Sequence, residues 1–294
     1  MKSVSNYIDF KYRHKFIQWL INIDVKGFRM LAHHMPYWLI SKPAKSMHLR
    51  LANDLLVLID PVKDNGVEHS LYYTGIYEMG TLNLLKEFLH DGDTFVDVGA
   101  NIGLMSLFAA QRVRKKGKVI AFEPHEDTRG IAHHNLEING LESLVELRSE
   151  GVGARSETKI LHDNWSVNRG AASLIHGDKE GGKAIDIVAL DQIIGEDDVK
   201  VIKIDVEGYE LEALKGAQRI LKRPIPPILI VECTEETEYH EYTRAQLYNF
   251  IKVTQPKYEF YKLKGSKLRK SKLIKVNGIN DLPTHDNLIC IPKP

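Results

Sequence analysis

Three groups of residues in this 294-residue chain combine types and spacings that could do chemistry. The first is Lys203-Ile204-Asp205-Val206-Glu207-Gly208-Tyr209-Glu210. Strand alternation puts Lys203 and Asp205 on one face and leaves Glu207 in the following turn. A cation and two carboxylates at a strand end are costly to bury unpaired, so they form either a salt-bridged structural cluster or a proton-transfer site. Glu232, at the end of the apolar run from Ile228, and His285, before the last apolar run, are two further candidate bases. Glu232 would alternatively orient Lys203, and His285 equally fits a surface turn. The second group is Asp97-Val98-Gly99-Ala100-Asn101-Ile102-Gly103, and the third is Glu123-Pro124 after the apolar run Val119 to Phe122.

The last two groups imply the elements that hold them. Phe95, Val96 and Val98 make a short buried strand, Gly99 allows a sharp turn, and Gly103 allows a helix to pack close. That helix carries Leu104, Leu107, Phe108 and Ala110 at helical spacing. The next strand delivers Glu123 beyond its carboxyl end, where a carboxylate can accept hydrogen bonds from the vicinal hydroxyls of an adenosyl ribose. A dinucleotide site wants G-x-G-x-x-G so that the backbone can approach a pyrophosphate, and Asn101 stands at the middle glycine. The loop therefore suits a ligand without a pyrophosphate, and S-adenosylmethionine, with its amino-acid tail, is one. The alternative is a turn whose glycines serve packing alone.

From residue 81 onward strands and helices alternate. Helices are expected over Thr81 to Leu89, around Ala132 to Ile138, over Glu210 to Leu221 and over Thr243 to Val253. Strands are expected at Leu144 to Leu147, Ile185 to Leu190, the VKVIKIDV run, PILIVEC, Tyr258 to Leu263 and Asn287 to Ile291. The alternation implies a doubly wound, mostly parallel α/β sheet over residues 71–294. Glycines and short polar runs mark an inserted hairpin or loop at about 151–183, in which Asn164, Trp165, Asn168 and Ser173 could recognise a sugar or serve as ordinary loop. Residues 1–70 form an N-terminal extension of one or two helices followed by a strand and turn.

Composition is that of a soluble or peripheral protein, with 43% hydrophobic and 27% charged residues. Two cysteines, Cys233 and Cys290, make neither a disulfide framework nor a metal-binding spacing and fit a reducing, cytoplasmic interior. No apolar run is long enough to span a bilayer, and the charged N-terminus lacks a secretory core. Residues 1 to 50 carry nine basic residues against Asp9 and Asp24, and Lys257 to Lys275 carries eight against Glu259. Such basic ends are either solvated faces or contacts for phosphate-bearing partners. Aromatic and aliphatic residues from Phe16 to Ile40 fit docking on the catalytic body, an oligomer contact or a membrane surface.

Thr74 to Glu78 (TGIYE), FVDVGANIG, FEP, the helix ending in NLEING, ALDQI, KIDVEGYELEALKGA and ILIVEC occur in that order. Together they resemble the FkbM family of S-adenosylmethionine-dependent methyltransferases over roughly residues 74 to 292. The resemblance implies the doubly wound, mostly parallel, seven-stranded sheet of the class I methyltransferase fold and O-methylation of sugars or of secondary-metabolite hydroxyls, with S-adenosylhomocysteine as product. It implies that Asp97, Gly99, Asn101 and Gly103 line the methionine side of the cofactor. Glu123, with Pro124 beside it, would hold the ribose, and Glu78 would reach the cofactor from the lead-in segment. Gly151 and Val152 would cradle adenine, and Asp205 would reach the methyl group. The acceptor expected is a small molecule or glycan, free or lipid-linked. The strand-end acids could ligate magnesium, but no unmistakable ligand string is present. An RNA methyltransferase fits the basic ends but lacks the Asn/Asp-Pro-Pro-aromatic motif, and a noncatalytic module would be expected to lose the acids.

Overall fold

The computed structural model describes residues 7–21, 36, 38, 40–51, 53–162, 174, 182–234 and 242–293. The N-terminal part contributes β1 (Ile8–Asp9), the helix α1 (Lys11–Ile21), β2 (Met47–Arg50) and β3 (Leu56–Ile59). Strands β2 and β3 form an antiparallel hairpin, and β1 pairs with β2 in parallel.

The main sheet is built from β4 (Thr94–Val98), β5 (Lys118–Phe122), β6 (Val145–Arg148), β10 (Val201–Ile204), β11 (Ile228–Thr234), β12 (Tyr258–Leu263), β13 (Leu273–Val276) and β14 (His285–Pro292). Their order is β13-β12-β14-β11-β10-β4-β5-β6. Pairings from β6 to β11 are parallel, and β14, β12 and β13 add antiparallel strands. The chain winds outward from β4 through β5 to β6 and then returns to β10 on the other side. The carboxyl edge between β4 and β10 is thus the topological switch point, where open α/β sheets bind ligands. Helices cover both faces, which is why β4 and β10 are buried along nearly their whole length.

Three sequence expectations are corrected. The sheet has eight strands rather than seven, because the four-residue β13, hidden in a lysine-rich run, pairs with the edge of β12. The segment read as resuming the main sheet at Ile185 belongs instead to β9 (Lys183–Val188). It pairs with β7 (Gly151–Val152) and β8 (Glu157–Leu161) in a separate small sheet, with Leu161, Ile185 and Ile187 as its own apolar cluster. Finally, the helix expected over Glu210 to Leu221 breaks into Glu210–Lys215 and Gln218–Leu221. A Cβ on Gly216 would lie 2.0 Å from the Gly153 carbonyl, and the Asp191 carboxylate accepts from the backbone N–H of Arg219 and Ile220 at 2.8 and 2.9 Å. Asp191 of ALDQI is therefore a cap.

The N-terminal hairpin shares a core with the main sheet: Leu49, Val57 and Ile59 pack in one cluster with Leu85, Phe95 and Leu107. The asparagines of NLEING make the polar half of this junction from the Glu126–Asn139 helix. Asn139 Oδ1 accepts from the Leu56 N–H at 2.9 Å and its Nδ2 donates to the Leu56 carbonyl at 2.6 Å. Asn135 Oδ1 accepts from the Leu58 N–H at 2.6 Å, while its Nδ2 donates to the Ile102 carbonyl at 3.0 Å. Two amides thus satisfy backbone groups that no neighbouring strand reaches. No helix among the described residues is long and apolar enough to cross a membrane. Asn135→Ala removes the partner of one buried and one half-buried backbone group, at up to about 1–3 kcal/mol each. It is expected to lower the melting temperature and to loosen Ile102, weakening S-adenosylhomocysteine binding in calorimetry. Asn139→Ala is expected to lower the melting temperature and leave that binding intact.

Candidate functional site

The loop after β4 takes left-handed backbone at Gly99 (φ 84°), Asn101 (φ 52°) and Gly103 (φ 83°). Asparagine is among the few non-glycine residues that adopt this conformation readily, so the missing middle glycine does not prevent the turn. A Cβ on Gly99 would lie 1.9 Å from the Asp205 carbonyl oxygen, so the loop presses against the end of β10. The Asn101 N–H donates to Glu123 Oε2 at 2.8 Å, and the His125 N–H donates to Glu123 Oε1 at 3.0 Å. Each carboxylate oxygen keeps a lone pair for a further donor, such as a ribose hydroxyl. Burial pushes the Glu123 carboxyl up to about 7, against the two N–H bonds that favour its ionised form.

Facing this loop is a cluster of buried charge. Lys203 Nζ donates to Asp205 Oδ2 at 2.9 Å. Lys267 Nζ lies 2.8 Å from Glu78 Oε1, 2.8 Å from Glu232 Oε1 and 4.0 Å from Asp205 Oδ2. Burial opposes charge on Asp205, but Lys203 and Lys267 outweigh it and hold the carboxyl well below the usual range. Burial opposes charge on Lys203 as well, and Asp205, Asp97 and Glu78 reverse that and raise it. Glu232 is raised, chiefly by burial and then by Asp205. Glu207 follows in left-handed backbone (φ 52°) before Gly208 (φ 98°). Its side chain meets solvent at the rim, yet the surrounding protein and the carboxylates of Asp205 and Glu210 shift its pKa upward. Glu210 pins this turn by accepting from the Val206 and Gly208 N–H groups at 2.9 and 3.2 Å and from the Tyr242 hydroxyl.

One cleft, open to solvent, brings most of these groups together. Of the residues expected from sequence, Glu78, Gly99, Asn101, Glu123, Pro124, Gly151, Val152, Lys203, Asp205 and Glu207 line it. Asp97, Gly103, Glu232 and His285 do not. Asp97 is fully buried beside Lys203, its register partner, and accepts from Ser106 Oγ at 2.6 Å. The strand face that carries Asp97 turns toward the helix behind the loop, so the side chain supports the loop from beneath. Gly103 opens that helix, and Ala132 stands 3.3 Å from where its Cβ would be. Glu232, read as a candidate base or as a partner of Lys203, accepts instead from Lys267. His285 is exposed where β14 starts, opposite Thr234.

Lys267 is the residue that sequence reasoning missed. It sits in the basic run read as solvated, and the signal for it was charge balance: Asp97, Asp205, Glu232 and Glu78 need more than Lys203 alone. Tyr77, Met105 and Tyr209 also line the cleft without having been anticipated. Asn164, Trp165, Asn168 and Ser173 lie outside the described residues. Among the described residues no group of three or more His, Cys, Asp or Glu side chains has the geometry to hold a metal.

A doubly wound sheet, a left-handed loop at its switch point and a buried acid after the next strand define the class I methyltransferase architecture. Residues 97–260 match the family model described as the methyltransferase FkbM domain, and the chain belongs to that family. It is 29% identical to the hexuronic acid methyltransferase AglP of Haloferax volcanii over 148 residues, 49% of this chain and 58% of that protein. It is 26% identical to methyltransferase 1 of Beauveria bassiana over 149 residues, 43% of this chain and 59% of that one. The chain thus spans a little under three fifths of the length of both relatives. An O-methyltransferase structure from Thermotoga maritima is 15% identical over 86% of this chain and 94% of that one, with a TM-score of 0.43.

The cofactor of this family is S-adenosylmethionine, and the residues present fit it. Glu123 keeps free acceptor capacity, and the approach at Gly99 leaves no space for a side chain. Gly99→Ala combines positive φ with a backbone clash and is expected to cost more than the roughly 1–3 kcal/mol of ordinary overpacking. Its readout is a lowered melting temperature with loss of S-adenosylhomocysteine binding. The raised Glu123 pKa fixes the sign of two pH effects. Between the unfolded value, about 4.3, and about 7 the folded state alone keeps the proton. The group's contribution to stability therefore falls as pH rises through that window. Ribose binding needs the carboxylate, so the thermal stabilisation by S-adenosylhomocysteine is expected to be larger at pH 8 than at pH 6, and Glu123→Gln is expected to flatten that difference.

Proposed function

We propose that the chain is an O-methyltransferase acting on a hydroxyl of a sugar, glycan or secondary metabolite. The observation that carries this reading is a single cleft lined by the loop from Gly99 to Ile102 with Glu123 and, opposite it, by Asp205 and Glu207. The cleft is open to solvent, so an acceptor can approach the acids from outside. The name of the Haloferax relative, a hexuronic acid methyltransferase, supports a sugar acceptor.

When bound, S-adenosylmethionine supplies an electrophilic methyl group on its sulfonium. The chain's own residues must hold that molecule, align a hydroxyl and remove its proton. Glu123 takes the ribose hydroxyls, the Gly99 to Asn101 backbone approaches the amino-acid end, and Gly151 with Val152 flanks the base. Glu207 is the base: it lines the cleft at the rim, where an acceptor enters, and its raised pKa makes it a better proton acceptor near neutrality than an ordinary carboxylate. Asp205 is held ionised by two lysines, which weakens it as a base and suits it to orienting the hydroxyl. Lys203, Lys267, Glu78 and Glu232 keep Asp205 in place.

The test is thermal shift with S-adenosylhomocysteine, followed by labelled methyl transfer to a panel of sugars that includes hexuronic acids. Stabilisation by NADH without stabilisation by S-adenosylhomocysteine would sink this reading. Glu207→Gln is expected to lower turnover about 10²–10⁴-fold while leaving S-adenosylhomocysteine binding unchanged. The wild-type rate is expected to rise with pH through a value above the ordinary glutamate range. Full turnover in the variant would remove Glu207 as the base.

A further inference from the structure

Helix α1 presents two unlike faces. His14, Ile17 and Leu20 are buried, and His14 Nε2 and Gln18 Nε2 bond the Tyr72 and Thr74 carbonyls, each at 3.1 Å. Gly75 allows this contact, because a Cβ there would lie 2.3 Å from the His14 ring. The helix is therefore fixed on the body by one side. On the other, Tyr12, Phe16 and Trp19 recur at i, i+4 and i+7 and are 88%, 56% and 61% exposed. The Phe16 and Trp19 rings stack with centroids 6.0 Å apart. Lys11 and Lys15, one turn apart, are exposed beside them, as are Lys42 and Lys45 in the segment before β2.

A surface of Trp, Phe and Tyr flanked by lysines matches the water–lipid boundary: aromatic rings sit at headgroup depth, and the ammonium groups meet anionic phosphates. The position of the helix gives this chemistry a purpose. Residues 72–75, which α1 grips, lead directly into Tyr77 and Glu78, which line the cleft. On the far side of that short segment, the Gly80 N–H donates to the Lys267 carbonyl at 2.8 Å, in a loop whose Lys264, Lys270 and Lys272 are exposed. Two lysine-rich exposed elements thus flank one wall of the cleft. We propose that α1 seats the protein on an anionic lipid surface through Tyr12, Phe16, Trp19, Lys11 and Lys15, with the cleft beside that surface so that it can take an acceptor carried on lipid. The lipid contact goes beyond the methyl-transfer reading and is measured without turnover, so either can fail alone.

The test uses the full chain with vesicles of phosphatidylcholine, with and without phosphatidylglycerol. The chain is expected to sediment with the anionic vesicles and to be released by high salt, which screens the lysines. In a Trp38→Phe/Trp165→Phe background, Trp19 emission is expected to shift to the blue and to be quenched by brominated lipid. Phe16→Ser/Trp19→Ser and Lys11→Glu/Lys15→Glu are each expected to weaken partitioning about tenfold or more. Unchanged thermal stabilisation by S-adenosylhomocysteine would show that both variants are folded. Absence of sedimentation by the wild type, or equal sedimentation by the aromatic variant, overturns the proposal. Self-association that the aromatic variant abolishes, without vesicle binding, assigns the face to a second copy of the chain and also overturns it.

Discussion

The contact between Gly99 and the Asp205 carbonyl is the constraint on which the site depends. Strands β4 and β10 are neighbours, yet the chain leaves them in different directions, and at that parting the two backbones come closer than any side chain would permit. The Asp205 N–H donating to the Val98 carbonyl at 3.0 Å locks the same point. Because the contact is backbone to backbone, it fixes the left-handed loop relative to the acids without using a side chain. The loop and the strand-end acids are thus held at a fixed spacing across one cleft.

The second constraint is electrical. Burial of Asp97, Asp205, Glu78 and Glu232 around two lysines cannot leave every group charged at ordinary cost. The shifts resolve this: Lys203 and Lys267 are raised, Asp205 is lowered, and Glu232 and Asp97 are raised. Glu232 is the acid that gives way, because burial and the charge on Asp205 both favour its protonated form. Asp205 is the acid that stays ionised because both cations act on it.

Much of this was legible in the sequence where period and special backbone leave signs. Alternation placed Lys203 and Asp205 together, and DVGANIG with Glu123 announced a left-handed loop and an acid bonded to it. Asp97 was read as a lining residue because strand-end position does not reveal which face turns toward the helix behind it. Lys267 was invisible because a buried lysine in a basic run looks like its solvated neighbours. Strand β13 was missed for a related reason: four residues among lysines carry too little apolar pattern to stand out. The hairpin around residues 151–183 was legible as an interruption, but pairing partners that lie far apart in the chain leave no local sign.

Asn101 shows how one substitution redirects a loop. A glycine there would permit the same φ and a closer backbone, as a pyrophosphate requires. Asparagine keeps the left-handed turn and adds a side chain whose Oδ1 accepts from the Ile102 N–H at 2.7 Å, while its own N–H holds Glu123. The Ile102 N–H is thereby spent on the protein instead of remaining free for an anion at the helix start. One residue thus occupies a backbone donor at the helix start and fixes the position of the Glu123 carboxylate.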